Sequence, residues 1–176
     1  DDKKITVHTN KLSNNIKYKI YEIINGRLYT DRIHDTAIIS DNKIIEGPSF
    51  QLRYKDSFIY NSKAKDNVVF QKGTPRIMKK LNGTVLSLLT GGGGNNNYFH
   101  WIFDVLPRIY LSNKFFDTDE IDYFLFPNLA ERFQKETLDL LNIPIKKRLS
   151  SDKFRHIKAK KMLVTDHPYA VTNNPA

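Results

Sequence analysis

The chain contains no cysteine. That excludes a disulfide framework and every thiolate metal site, and it fits a reducing compartment such as the cytoplasm. No apolar run reaches the roughly 18 to 20 residues that a membrane-spanning helix needs. The opening DDKK carries acid where a secretory leader carries base followed by an apolar stretch. An initiator Met is missing as well and the sequence closes on TNNPA, so it reads as a fragment or trimmed chain, which leaves a lost signal or anchor open. What the chain has in quantity is positive charge: 28 Lys and Arg against 19 Asp and Glu, a formal +9. An excess of that sign favours phosphorylated ligands, an anionic membrane surface or nucleic acid as partners. Yet the 20 lysines and 8 arginines are scattered rather than interleaved with aromatics, which argues against nucleic acid and for a general compositional bias. With 40% hydrophobic and 12% aromatic content, 176 residues suffice for one packed core.

The first part of the chain reads as short strands and turns. Residues 1 to 15 are polar with one alternating piece, Ile5 to His8, open to a strand or a tail. Lys17 to Ile24 alternates and then meets Asn25-Gly26, a strong hairpin signal because both turn positions tolerate positive φ, with Arg27 to Arg32 as the return strand. A second hairpin is expected from Ala37 to Ser40, the turn Asp41-Asn42, and Lys43 to Glu46, closed by Gly47-Pro48. Phe50 to Tyr54, Ser57 to Asn61 and Val68 to Gln71 are further short strands, Asn61 to Asp66 a polar linker, and Lys72 to Lys80 a loop. His34 and Asp35 fall between hairpins, where a solvated histidine is the ordinary finding. Asn82-Gly83 turns the chain again, and with Thr84 it spells a glycosylation sequon that matters only in a secretory compartment.

The stretch from Gly91 to Lys114 is the most informative. Before it, Thr84 to Leu89 (TVLSLL) is a buried strand by its apolar, partly β-branched content. Gly91, Gly92, Gly93 and Gly94 free the backbone to turn, and Asn95, Asn96 and Asn97 are each good N-caps for a helix. Backbone N–H groups of such a loop suit a phosphate, but GGGG has neither the spacing of a dinucleotide site nor the Lys-Ser/Thr of a P-loop, so plain flexibility stands beside that reading. From Tyr98 the positions Phe99, Ile102, Phe103, Leu106, Ile109 and Tyr110 follow helical spacing and are expected to face the core. Pro107, inside the pattern, requires a kink or restart near Phe103 to Leu106.

On another face His100, Asp104 and Arg108 succeed one another four apart, with Asn97 beside them. A carboxylate one turn from a histidine can hold one ring N–H and raise the basicity of the other nitrogen, and an arginine one turn further can hold a phosphate or carboxylate. An exposed face laced with charge pairs explains the same spacing.

The words Asn97-Tyr98, His100-Trp101-Ile102, Asp104 and Leu106-Pro107-Arg108 resemble the central signature of glycosyltransferase family 61. The likeness extends over about Gly26 to Pro168. It implies a GT-B-like fold of two Rossmann-like halves, a nucleotide-sugar donor, and a glycan or other hydroxyl acceptor. It implies His100 and Asp104 as catalytic residues and Asn97, Tyr98, Trp101 and Arg108 as substrate-binding ones, with no metal and no permanently bound cofactor. The family's later, donor-binding half has no counterpart before Ala176, so it is expected beyond the chain, and residues 1–176 alone are expected to be inactive.

After the central helix, Asp117 to Glu120 reads as an acidic turn rather than a metal site. Ile121 to Phe126 is a strand, Asn128 caps a helix from Leu129 to about Asn142 with Phe133, Thr137, Leu140 and Leu141 inward, and Pro144 ends it. Ile145 to Leu149 and Ala159 to Val164 are strands either side of the basic segment Lys153 to Lys161. His167-Pro168 resembles a step at the family's passage to its second half, and equally an ordinary loop histidine. The fold class is therefore α/β: N-terminal antiparallel hairpins, then a Rossmann-like parallel βαβ half, with residues 1–72, 73–168 and a linker 169–176 as units. The functional expectation is the acceptor-side part of a glycosyltransferase in the cytoplasm, peripheral at the inner membrane. The alternative is a non-catalytic basic module for an anionic glycan, lipid surface or nucleic acid.

Overall fold

A computed structural model describes residues 4–13, 16–31, 36–49, 54–55, 57–58, 67–70, 76–89 and 96–165. The N-terminal elements are β1 (Ile5–Ser13), β2 (Ile16–Ile24), β3 (Arg27–Thr30), β4 (Thr36–Ser40), β5 (Lys43–Ile44) and the helical turn α1 (Glu46–Ser49). A two-residue pair, β6 (Tyr54–Lys55) and β7 (Ser57–Phe58), stands apart as its own small sheet. The rest comprises β8 (Lys79–Ser87), α2 (Tyr98–His100), α3 (Leu106–Ser112), β9 (Tyr123–Phe126), α4 (Arg132–Leu140), β10 (Arg148–Ser150) and β11 (His156–Thr165).

Four strands, in the order β10-β9-β8-β11, are mutually parallel, as the alternation of strand and helix after Thr84 requires. The other edge of β11 takes β2 and β3 end to end, both antiparallel, and β1 extends β2 while β4 and β5 extend β3. The N-terminal strands and the parallel strands are thus one mixed α/β sheet of nine strands, joined along β11. Successive residues of the central strands go to opposite faces. Val85, Leu125, Met162 and Val164 enter one core cluster, and Leu86, Phe124, Phe126 and Leu163 enter the other, which the helices cover.

That arrangement overturns the hairpin expected at Asn25-Gly26. Residues 24 and 27 pair with Lys161 and Lys158 of β11, not with each other. Across the bend the ladder continues: the Asn25 N–H donates to the Lys160 carbonyl (2.9 Å) and the Ala159 N–H to the Gly26 carbonyl (3.0 Å). Asn25 alone takes positive φ (55°). Gly26 is needed for closeness instead, because a Cβ there would lie 2.9 Å from the Met162 Cβ.

Asn82-Gly83 is likewise no turn but a bulge inside β8, which begins at Lys79, five residues before the expected Thr84. Ala159 faces Leu81 and Lys161 faces Thr84, two steps against three. The Asp122 carboxylate fills the space beside Gly83 and accepts from the Thr84 N–H (2.7 Å). The second hairpin does form, with Asp41 (φ 46°) and Asn42 (φ 61°) in its turn, but β5 stops at Ile44 and a helical turn follows.

Other expectations are corrected as well. Val68–Phe70 is a 3-10 turn, not a strand, because Asn67 accepts the Val69 N–H with its side chain (3.1 Å) and the Phe70 N–H with its carbonyl (3.0 Å). Glu131, not Asn128, caps α4, through a reciprocal box with Gln134. The inward residues of α4 are Gln134 and Leu138, flanked by half-buried Phe133 and Thr137, whereas Leu140 and Leu141 are exposed. Asn142 (φ 53°) ends the helix before Pro144 is reached, with Ile143 N–H returning to the Leu138 carbonyl (3.0 Å). Finally, Ile145–Lys147 is a 3-10 turn and only Arg148–Ser150 pairs as β10.

Candidate functional site

The helix that carries the site begins as expected. Asn97 is its N-cap, in extended geometry, and its side-chain oxygen accepts the Phe99 N–H (2.8 Å). One turn later the helix widens. Trp101–Val105 is a π turn, closed by the Leu106 N–H donating to the Trp101 carbonyl five residues back, and α3 resumes at Leu106 with Pro107 in its first turn. Pro107 has no N–H to give and is tolerated there because the first-turn donors of a restarted helix are spare.

The extra residue in the π turn changes which side faces inward. Phe99, Phe103 and Tyr110, expected in the core, are exposed, and the buried line is Trp101, Asp104, Val105, Arg108, Ile109, Leu111 and Ser112. The polar stripe is consequently not a solvated helix face. Asp104 is 3% and Arg108 1% exposed, while His100 keeps 26% of its side chain accessible.

Within that stripe His100 Nδ1 bonds to the Asp104 carboxylate. A carboxylate accepts, so Nδ1 carries the hydrogen and Nε2, without a hydrogen-bond partner among the described residues, is the basic nitrogen of the neutral ring. Arg108 holds the backbone behind the acid: Nε donates to the Asp104 carbonyl (2.6 Å) and Nη1 to the carbonyl of Thr165 (3.0 Å). Thr165 is the last residue of β11, so the stripe is fastened at the carboxyl end of a parallel strand, where ligands of open α/β sheets gather.

Two of the residues expected at the substrate are enclosed in the fold. Trp101 is fully buried, packs on Phe126 and Phe133, and its ring N–H donates to Thr137 Oγ1 (2.9 Å), so it joins this helix to α4. Arg108 is equally enclosed and acts as an anchor. Tyr98 is exposed, edge-on to Phe133 with ring centroids 5.0 Å apart. Exposed Phe99 and Phe103 lie against each other at 4.6 Å, and Phe99 is edge-on to the His100 ring at 5.7 Å. Gly91, Gly92, Gly93 and Gly94, with the phosphate reading they carried, lie outside the described residues, as do His34, Asp35 and His167.

Among the described residues no group of three or more His, Asp and Glu is placed to hold a metal, and no helix is long and apolar enough to cross a membrane. Asp117 and Glu120, the acidic turn, spend their carboxylates on each other's backbone N–H in a capping box. One group escaped the sequence reading: Arg76, Lys79, Lys153, Arg155 and His156 converge on a pocket at the amino end of β11. The basic run from Lys153 was visible, but its meeting with Arg76 and Lys79 depends on the pairing of β8 with β11. No protein-family model, no curated protein and no solved structure matches the chain.

Proposed function

We propose that the chain is the acceptor-side part of a glycosyltransferase similar to family 61, moving a sugar from a nucleotide-sugar donor to a hydroxyl of a glycan acceptor. The observation that carries this reading is the His100–Asp104 pair, a buried carboxylate orienting a partly exposed imidazole. In this reading Nε2 removes the acceptor hydroxyl proton as its oxygen attacks the anomeric carbon from the face opposite the leaving group. The carbon–oxygen bond to the diphosphate breaks, the nucleoside diphosphate departs with the electron pair, and the configuration inverts. His100 is the base rather than Asp104, because the carboxylate is enclosed and the free nitrogen is not. Exposed Tyr98, Phe99 and Phe103 offer apolar ring faces of the kind that hold sugars, beside the reacting position. The parallel β10-β9-β8-β11 sheet, covered by helices, suits one half of a GT-B-like fold, and a donor-binding half would follow Ala176. Action in the cytoplasm, at the inner surface of a membrane, accords with the absent cysteines and the +9 charge.

The test uses the chain extended by the residues that follow Ala176 in its gene. Release of nucleoside diphosphate is measured across a panel of nucleotide-sugars with saccharide acceptors. His100→Ala and Asp104→Asn should each lower turnover by about 10²- to 10⁴-fold, the usual worth of a positioned base, with unchanged circular dichroism. Undiminished turnover in His100→Ala removes the mechanism, and robust transfer by residues 1–176 alone contradicts the two-half reading.

A further inference from the structure

Apart from the His100–Asp104 pair there is a pocket of about 830 Å³ where the amino end of β11 meets Asn128, past the end of β9, and Asp152 and Lys153, past the end of β10. We propose that this pocket binds a hydroxyl-bearing anion, of the class of a sugar phosphate or an acidic saccharide. The inference stands whether or not the dyad is catalytic.

Charge is the first argument. Arg76, Lys79, Lys153 and Arg155 bring four positive charges against the single carboxylate of Asp152 among the described lining residues. Such a concave, predominantly positive lining concentrates anions.

The second argument is that several lining atoms are buried with nothing to bond. Arg155 is held by its Nη2, which donates to the Asp31 carbonyl (3.2 Å), while its Nε is buried and unpartnered. A guanidinium fixed in that way keeps one donor unspent within the wall of the pocket. His156 Nδ1 meets the Arg76 carbonyl (2.8 Å), which can only accept, so Nδ1 carries the hydrogen. Its Nε2 is left in the neutral ring as a buried acceptor without a donor. The Asn128 side-chain amide, which can turn either its oxygen or its N–H₂ toward the space, is also unpartnered at its buried Oδ1.

Together they ask for two kinds of atom at once. Arg155 and the surrounding cations want phosphate or carboxylate oxygens, whereas His156 Nε2 wants a hydroxyl. Inorganic phosphate supplies mainly the first and an uncharged sugar only the second. The pocket has the size of a small-molecule site, room for more than one ion. No Phe, Tyr or Trp lines it among the described residues, so the stacking platform of a single-stranded nucleic acid is missing.

Titration of the chain at low salt with glucose 6-phosphate, glucuronate, inorganic phosphate and glucose, read by calorimetry and by the His156 imidazole resonance, tests this. Glucose 6-phosphate or glucuronate should bind at least about tenfold more tightly than inorganic phosphate or glucose and shift His156, and the preferred one identifies a phosphate or a carboxylate source. The double variant Arg76→Gln, Lys153→Gln removes two exposed charges without touching a bond of the fold, and should weaken binding about tenfold or more. Arg155→Gln should do the same, though it also releases Asp31. Equal affinity for inorganic phosphate, meaning an adventitious ion only, would overturn the proposal. So would a silent His156, indifference to the double variant, or tighter binding of a single-stranded oligonucleotide.

Discussion

Arg108 Nη1 donates to the backbone carbonyl of Thr165 at 3.0 Å, joining the restarted helix to the end of a strand 57 residues later. The same guanidinium, through Nε, holds the Asp104 carbonyl at 2.6 Å. The guanidinium spreads its donors over separate nitrogens in a rigid plane, so Nε and Nη1 reach two carbonyls at once, whereas an ammonium offers all its donors from a single point. Arg108→Ala is therefore expected to cost about 3 kcal/mol, from lost charge-assisted hydrogen bonds and the cavity left in the packing. Arg108→Lys should recover less than half of it. A urea midpoint shift at constant slope measures the loss. A change within about 0.5 kcal/mol, the range of an ordinary surface substitution, would mean that the anchor contributes nothing.

What the sequence made legible was spacing within one element. Asn97 caps, His100 and Asp104 meet one turn apart, and Pro107 forces a restart, all from rules that act over about five residues. The direction in which that helix faces was not legible, because the restart inserts a π turn and rotates every later position. Phe99, Phe103 and Tyr110 looked like core by ideal helical periodicity and are surface, while Arg108 looked like surface and is core. The β-α-β order gave the parallel strands in the same local way. The long-range pairings were hidden, since nothing around Asn25 says that Lys160 will take its N–H.

Gly26 offers a test of that pairing. In a hairpin turn a glycine serves its dihedral angle, and Ala is costly through strain at positive φ. Here the cost is steric: an added methyl would meet the Met162 Cβ at 2.9 Å and Ile23 atoms at 3.1 Å, all in the packed core. Gly26→Ala should destabilise by about 1 to 3 kcal/mol, the usual range for overpacking. Only loss of the neighbour's own Cβ relieves that contact, so Met162→Gly combined with Gly26→Ala should lose less than the sum of the two single changes. Strict additivity in denaturant melts would place Gly26 away from β11.

Glu22 gives the fold an acid-sensitive seam. It lies on β2 between two partners on neighbouring strands, with Oε1 2.8 Å from Lys161 Nζ on β11 and Oε2 3.0 Å from His8 Nε2 on β1. Partial burial by itself would raise its pKa. The hydrogen bonds from Lys161 and then His8, with the charges behind them, outweigh that and hold it below the ordinary 4.5. A carboxylate whose pKa is depressed on folding stabilises the folded state above its unfolded value, and that contribution drains away as pH falls from 4.5 through the lowered folded value. Glu22→Gln keeps the shape and removes the titration. At neutral pH the variant should be less stable than the parent, and the gap should close as the solution is acidified through this window. Chemical denaturation at a series of pH values reads it directly. Two stability curves that run parallel through the acid range would show that the three-strand contact among His8, Glu22 and Lys161 contributes nothing to acid sensitivity.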